Sequence, residues 1–436
     1  MELDETHDPE RRSWVASATD PATDFPLQNL PLGVGRTPVG EITLLTAIGD
    51  EVLDLRRVAA AGLIDVDPGL LDGTDGLNPL LARPPEELTA LRRALVGLLE
   101  RGAKAEATIR ASEGMLRPAT DVELLTPTRI GSFTDFFAGI YHAQAASKSL
   151  GQSGDLGPNY RWVPIAYQSR GSTVRPSGAD VRRPTGQLPG ADGVPIYAPC
   201  AMLDFELELG MVVGNETTVG EPVPVADAAR HIAGFCLLND WSARDIQRWE
   251  MAPLGPFLSK NFATTISPWL VTADALRPFR IPAMERADGD PPPLRYLRDA
   301  SDQAHGGLAI ELSVWLRTAE MRARDEDRSL VVRSDARYLY WTPAQMLAHH
   351  TSGGCDLQTG DLLGTGTISG PSPDQLASLL ELTDDGRSPI SLNGGTPRGY
   401  LEDGDEVTFT GRCRRDGCVS IGFGECAGMI TPAVRA

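Results

Sequence analysis

The segment LDFELEL, residues 203–209, alternates apolar and acidic residues and constrains this chain more tightly than any other. In a β-strand, side chains two apart share a face. Glu206 and Glu208 would then stand side by side, roughly 6–7 Å apart at Cα by the strand rise. Two carboxylates that close repel each other unless a cation sits between them. Hard oxygen donors of this kind suit Ca2+ or Mg2+ better than Zn2+. An ordinary strand with one solvated face carries the same pattern, so the surrounding sequence has to decide.

Composition narrows the choices. The 436 residues suffice for two domains, or one large domain with a small companion. The 40 basic residues face 59 acidic ones, for a net charge of −19. Nucleic acid is excluded as a partner, because no basic excess is present to neutralise phosphates. No apolar run approaches the ~18 residues of a membrane span, and the acidic, polar start does not resemble a secretory signal. A cytoplasmic, non-membrane protein is expected. The six cysteines, Cys200, Cys236, Cys355, Cys413, Cys418 and Cys426, have no CxxC spacing, which argues for reduced thiols and against zinc. With 45 glycines and 34 prolines, many turns and a mainly β (α+β) body are predicted.

Along the chain, residues 1–12 read as a flexible polar leader, and residues 13–125 as an N-terminal unit. Short apolar segments broken by Gly and Pro from Trp14 to about Arg57 read as strands. Pro85 to Met115 reads as helix, with Leu88, Leu91, Leu95, Leu98 and Leu99 at helical spacing. A hinge over 116–129 leads into the main domain, residues 126–436. There Val225 to Ile232 is a short helix candidate and Thr342-Pro343 a helix start. Residues 283–293 read as an exposed loop.

Polar groups concentrate in NDWSARDIQRWE, residues 239–250, and PLGPFLSKNFATT, residues 253–265. Arg244 and Gln247, three apart, share a face if the segment is helical. With Lys260 they could direct several donors at one point and stabilise an oxyanion. A solvated surface pair would have the same spacing.

At these residues the chain resembles the fumarylacetoacetate hydrolase family. The likeness is carried by NDWSARDIQ (239–247), PLGPFL (253–258), GDLL (360–363), GTISGP (366–371) and IGFGECAG (421–428). SWVASA (13–18) and DFPLQNLP (24–31) extend it over essentially the whole chain. The resemblance implies a small SH3-like N-terminal barrel, a mixed-β-roll catalytic domain and a homodimer. It implies that Asp135, Glu206, Glu208 and Asp240 hold a Ca2+ or Mg2+. It further implies that Asp240, Lys260 (through its backbone carbonyl) and Thr264 adjoin a second, structural Mg2+. His142 matches the catalytic histidine and Glu381 its orienting carboxylate; alone, His142 could equally be a structural histidine. Arg244, Gln247 and Lys260 match the oxyanion group. Tyr167 and Thr367 match substrate-contacting positions.

The expected activity is metal-dependent hydrolysis of a carbon–carbon bond in a β-diketo acid, with fumarylacetoacetate cleaved to fumarate and acetoacetate. A divalent cation polarises such a carbonyl, His142 deprotonates water, and Lys260 is a candidate acid for the departing carbon. Three positions depart from the family pattern: Phe137 and Met251 replace tyrosines, and Gly151 replaces an arginine. These help hold the distal carboxylate, and losing a bidentate arginine weakens carboxylate selection. The alternative reading is a specialised-metabolism member that acts on another diketone or enolate by decarboxylation, tautomerisation or C–C bond formation.

Overall fold

The computed structural model describes residues 3–149, 156–190, 192–393 and 397–434. The N-terminal strands β1 (Leu32–Arg36), β2 (Ile42–Ile48) and β3 (Glu51–Asp54) form an antiparallel meander. After helix α1 (Pro85–Leu99) the chain returns as β4 (Leu116–Pro118) on β3 and β5 (Glu123–Leu124) on β1. The ladder order is therefore β4-β3-β2-β1-β5. Its two outer strands are consecutive in sequence, separated by one turn at Ala119–Asp121. No strand pairing joins them directly among the described residues.

Helix α1 buries Leu91, Leu95, Val96 and Leu99 against this ladder, each such side chain contributing on the order of 1.5–3 kcal/mol. The helix predicted to run to Met115 stops at Leu99, because the N-terminal segment crosses its end. Trp14 N–H and the Ser13 hydroxyl donate to the Leu99 carbonyl, and the Trp14 indole donates to that of Leu98. Those carbonyls are unpartnered at any helix C-terminus, and here another part of the chain satisfies them. Helix resumes only at Glu106–Ala111. Residues 4–12, expected as part of a flexible leader, are docked for the same reason. Thr6 and His7 are buried, and Arg92 of α1 donates to the Thr6 hydroxyl at 3.1 Å.

The chain continues with β6 (Phe133–Phe136), helix α2 (Ile140–Ser149), β7 (Ala166–Ser169) and β8 (Val174–Pro176). Next come β9 (Leu207–Val213), β10 (Ile232–Asp240), helix α3 (Arg244–Glu250), β11 (Thr264–Ile266) and β12 (Trp269–Thr272). Strand β12 pairs with β1, with Leu270 opposite Leu32 and Trp269 opposite Gly33. This fuses the N-terminal ladder to the main sheet, whose order continues β12-β10-β9, thirteen strands among the described residues. A Cβ on Gly33 would lie 2.6 Å from the Trp269 ring, so only glycine permits the junction.

A second sheet is built from β13 (Glu311–Arg317), β14 (Ser329–Asp335) and, after helix α4 (Pro343–Thr351), strand β15 (Leu362–Gly364) and helix α5 (Leu379–Leu382), from β16 (Glu406–Cys413) and β17 (Ile421–Thr431). Its order is β14-β13-β16-β17, with Val181–Arg182 added in parallel to β17. Strand β15 belongs to the first sheet, between β9 and β6. The largest core lies between the sheets, where Leu209, Phe235 and Leu237 meet Leu312, Val407 and Phe409. Strand β9 is buried along its whole length, so its acidic face is not a solvated one. Sequence pattern and structure agree at α4, where Thr342 caps and Gln345 completes a capping box. No helix among the described residues is long and apolar enough to cross a membrane.

Candidate active site

The register of four adjacent strands brings three carboxylates together. Gly364 of β15 lies opposite Asp135 of β6 on one side and Gly210 of β9 on the other. Glu208 of β9 faces Leu238 of β10, which ends in Asp240. Oxygens of Asp135, Glu208 and Asp240 lie within 4.8 Å of one another, all buried. Gly364 makes room for them, since a Cβ there would lie 2.3 Å from Asp135 Oδ1 and 3.1 Å from Glu208 Oε2.

The electrostatics of this group fit a divalent cation. Asp135 Oδ1 and Glu208 Oε1 are buried with no hydrogen-bond partner among the described residues. Burial, followed by repulsion from Asp240, holds the Asp135 carboxyl well above its ordinary range, and burial with the Asp135 charge does the same to Glu208. Three convergent buried carboxylate donors without a soft ligand suit Ca2+ or Mg2+. Two strand partners steady the set: Tyr167, opposite Asp135, donates its hydroxyl to Asp240 Oδ2 at 2.5 Å, and Thr264, opposite Asp240, donates to Oδ1 at 3.0 Å. Tyr167, expected at the substrate, therefore has its hydroxyl on a carboxylate of this group.

Glu206, expected as the fourth carboxylate of the set, faces cations. The Lys260 ammonium bonds Glu206 and lies 2.9 Å from Asp240 Oδ2, Arg244 Nη2 is 2.8 Å from Glu206 Oε1, and His142 Nε2 is 3.7 Å away. Burial opposes ionised Glu206, yet Lys260 and Arg244 outweigh it and hold the carboxyl below its usual range. Burial likewise opposes the Lys260 charge, and Asp240 and Glu206 reverse that, raising its pKa. The strand is interrupted at Phe205 and Glu206, where the Glu206 N–H donates to the Asn239 side chain. The break lets Glu206 turn to these cations.

His142 projects from the first turn of α2, and its Nδ1 lies 2.7 Å from Glu381 Oε2. A carboxylate at Nδ1 takes that N–H and leaves Nε2 as the free base. Glu381, on α5, also accepts from the hydroxyls of Ser378 at 2.7 Å and Ser369 at 2.8 Å. Arg244, buried at the start of α3, donates from Nε to Asp204 at 2.9 Å and from Nη1 to Gln247 at 3.2 Å, the i,i+3 pairing predicted. Asp204 also accepts the backbone N–H groups of Leu379 and Leu380. One carboxylate thus fixes both the arginine and the helix that carries Glu381.

Thr367 is buried just beyond Gly366, whose N–H donates to Glu208 Oε2 at 2.9 Å. The Phe137 ring meets His142 edge-on at 5.4 Å between centroids. Met251 lies at the end of α3, 40% exposed, on an outward segment with Leu254 and Phe257. Gly151 lies outside the described residues. The sequence reading did not single out Asp204, Ser369, Ser378 or Gly364. Of these only Asp204 carried a signal, as the first acid of the 203–209 alternation.

Comparison with known proteins places this geometry. The family described as "Fumarylacetoacetate (FAA) hydrolase C-terminal" matches residues 139–431, and "Fumarylacetoacetase N-terminal" matches residues 28–127. Fumarylacetoacetase of Arabidopsis thaliana is 45% identical over 97% of this chain and 99% of its own length. The Oryza sativa subsp. japonica fumarylacetoacetase is 41% identical over 97% and 98%, and that of Homo sapiens 40% over 97% and 99%. With both halves matched and relatives aligned end to end, the chain belongs to the fumarylacetoacetate hydrolase family.

Proposed function

We propose that this chain hydrolyses fumarylacetoacetate to fumarate and acetoacetate. The observation that carries the reading is the His142–Glu381 pair set against the Asp135–Glu208–Asp240 group, in a chain aligned end to end with enzymes named for that reaction. His142 Nε2 takes a proton from the attacking water while Glu381 holds the imidazole and offsets its new charge. Arg244, Gln247 and Lys260 stand close by as donors for the alkoxide that forms at the attacked carbonyl. The carbon–carbon bond then breaks, and the departing carbon recovers the proton from the imidazolium. Lys260, whose ammonium is held between two carboxylates, suits charge stabilisation better than proton delivery. A Ca2+ or Mg2+ on Asp135, Glu208 and Asp240 supplies Lewis-acid polarisation of the substrate carbonyl when bound.

The finer parts of the reading have their own support. A second, structural Mg2+ would share Asp240 with the Thr264 hydroxyl, which lies 3.0 Å from it, and with the Lys260 carbonyl. A homodimer is supported by the exposed apolar residues Trp249, Met251, Leu254 and Phe257 on one segment. A cytoplasmic setting is supported by six unpaired cysteines.

The test is loss of diketone ultraviolet absorbance with purified enzyme loaded with Ca2+ or Mg2+, beside an EDTA-treated sample. Metal-dependent loss yielding fumarate and acetoacetate, abolished by His142→Ala, is expected. No turnover by folded, metal-loaded enzyme would sink the reading. It would favour another diketone or enolate reaction, motivated by Phe137 lacking a hydroxyl and Met251 facing outward. Product mass in 18O water separates the two, since hydrolysis incorporates one solvent oxygen.

A further inference from the structure

A cavity of about 350 Å3 lies between α1 and the sheet, walled by Leu88, Leu91 and Leu95 of the helix and by Leu32, Ile232 and Ala233 of the strands. A smaller cavity of about 120 Å3 shares Ala229, Ile232 and Arg280 with it. Both lie at the start of β10, whose other end is Asp240. Seven strand residues at about 3.3 Å each separate Ala233 from that carboxylate by roughly 23 Å. The cavity is therefore a place apart from the active site.

The charged side chains in its wall are all accounted for except one. Glu86 pairs with Arg230 at 2.8 Å, and Asp274 with Arg277 at 2.5 Å. Arg92 donates to the Gln28 and Asn29 carbonyls and the Thr6 hydroxyl. Arg280 has no hydrogen-bond or ion-pair partner among the described residues, and its Nε is buried. Its guanidinium stands 6.0 Å from the Phe235 ring centroid, a weak attraction at that distance. Asp302, in the wall of the smaller cavity, lies beyond ion-pair distance and already accepts from Thr342. Burial draws the Arg280 pKa down to about 10, with Asp302 a partial counterweight. The side chain is only partly buried, so its terminal nitrogens are accessible and unpaired among the described residues, free to donate to an anion.

We propose that this cavity binds a small amphiphilic carboxylic acid, its carboxylate on Arg280 and its apolar body against Leu88, Leu91, Leu95 and Ile232. A single guanidinium matches a single carboxylate in a bidentate pair. The volume falls at the small end of ligand pockets, roughly 300–1,000 Å3, which limits the body to a short chain or one ring. The proposal stands on binding alone and is independent of the reaction assigned above.

The experiment is calorimetric titration of the full, metal-loaded chain with octanoate, with octanol as the uncharged counterpart. Saturable binding of one octanoate per chain is expected, with octanol at least tenfold weaker. Arg280→Met should weaken octanoate at least tenfold, and Leu88→Trp, which fills the cavity, should abolish it. Both variants should retain parental turnover. Octanoate that binds elsewhere would bind both variants as it binds the parent, and that result overturns the proposal. So does the absence of saturable binding, or equal binding of octanol. If Arg280→Met fails to fold, Leu88→Trp decides the matter alone.

Discussion

Asp204 accepts four hydrogen bonds, from Arg244 Nε and from the N–H groups of Phe205, Leu379 and Leu380. Removing it leaves Arg244 with only Glu206 as a carboxylate partner and leaves the start of α5 unsatisfied. Asp204→Ala is expected to cost about 3 kcal/mol or more of stability, as when one partner of a buried pair is deleted. It should also lower kcat through misplaced Glu381; urea midpoints and steady-state rates check both. Gly364→Ala makes a different prediction. Its Cβ would press on Asp135 and Glu208, so affinity for Ca2+ or Mg2+ should fall at least tenfold with the fold retained, measured by titration calorimetry and circular dichroism. Much of the site was legible because charged residues stand out in a sequence. Asp204 was legible as one more acid in the 203–209 alternation. Ser369 and Ser378 were not, because a serine becomes a carboxylate's donor only when distant segments meet.

At the scale of elements, α4 shows what local chemistry can specify. Thr342 caps the helix by accepting from Gln345 N–H at 3.1 Å and donates to Asp302 at 2.8 Å. Thr342→Ala should destabilise the protein by about 1–2 kcal/mol, read from denaturant midpoints. Asp302 itself makes stability depend on pH. Burial raises its carboxyl from 3.8 to about 6, against the pull of Thr342 and Arg280. The folded state then holds this proton more firmly than the unfolded one, so the group opposes folding above pH 6 and its penalty is relieved as pH falls from 6 towards 4. Asp302→Asn should be more stable than the parent at pH 7, and the gap should close by pH 4, followed by urea melts across that range. The cap was written in Thr342-Pro343. The end of α1 was not written in its leucine spacing, because the partner that satisfies its last carbonyls lies at residues 13 and 14.

For the whole molecule, the buried carboxylate group couples metal to stability. Three buried carboxylates share a single ammonium, Lys260 on Asp240, so added Ca2+ or Mg2+ should raise Tm by a few degrees and EDTA should reverse the gain. Scanning calorimetry checks this, and no shift with either ion would contradict the assignment of the group. The β-rich class was readable from turn residues, and the alternation at 203–209 located the buried acids but not the break in the strand at Phe205 and Glu206. The fusion of the two parts into one sheet was not readable, since it depends on β1 pairing with β12. That pairing also sets a timetable. During synthesis β1 is complete long before Trp269 and Leu270 exist, and at 5–20 residues per second the interval is on the order of ten seconds or more. For that time the Leu32–Gly33 part of the edge, beyond the part that β5 covers, stands open to other nascent chains. Glycine at 33 makes it a poor template, so the residue that admits the Trp269 ring in the finished protein also lowers the risk of aggregation on the ribosome.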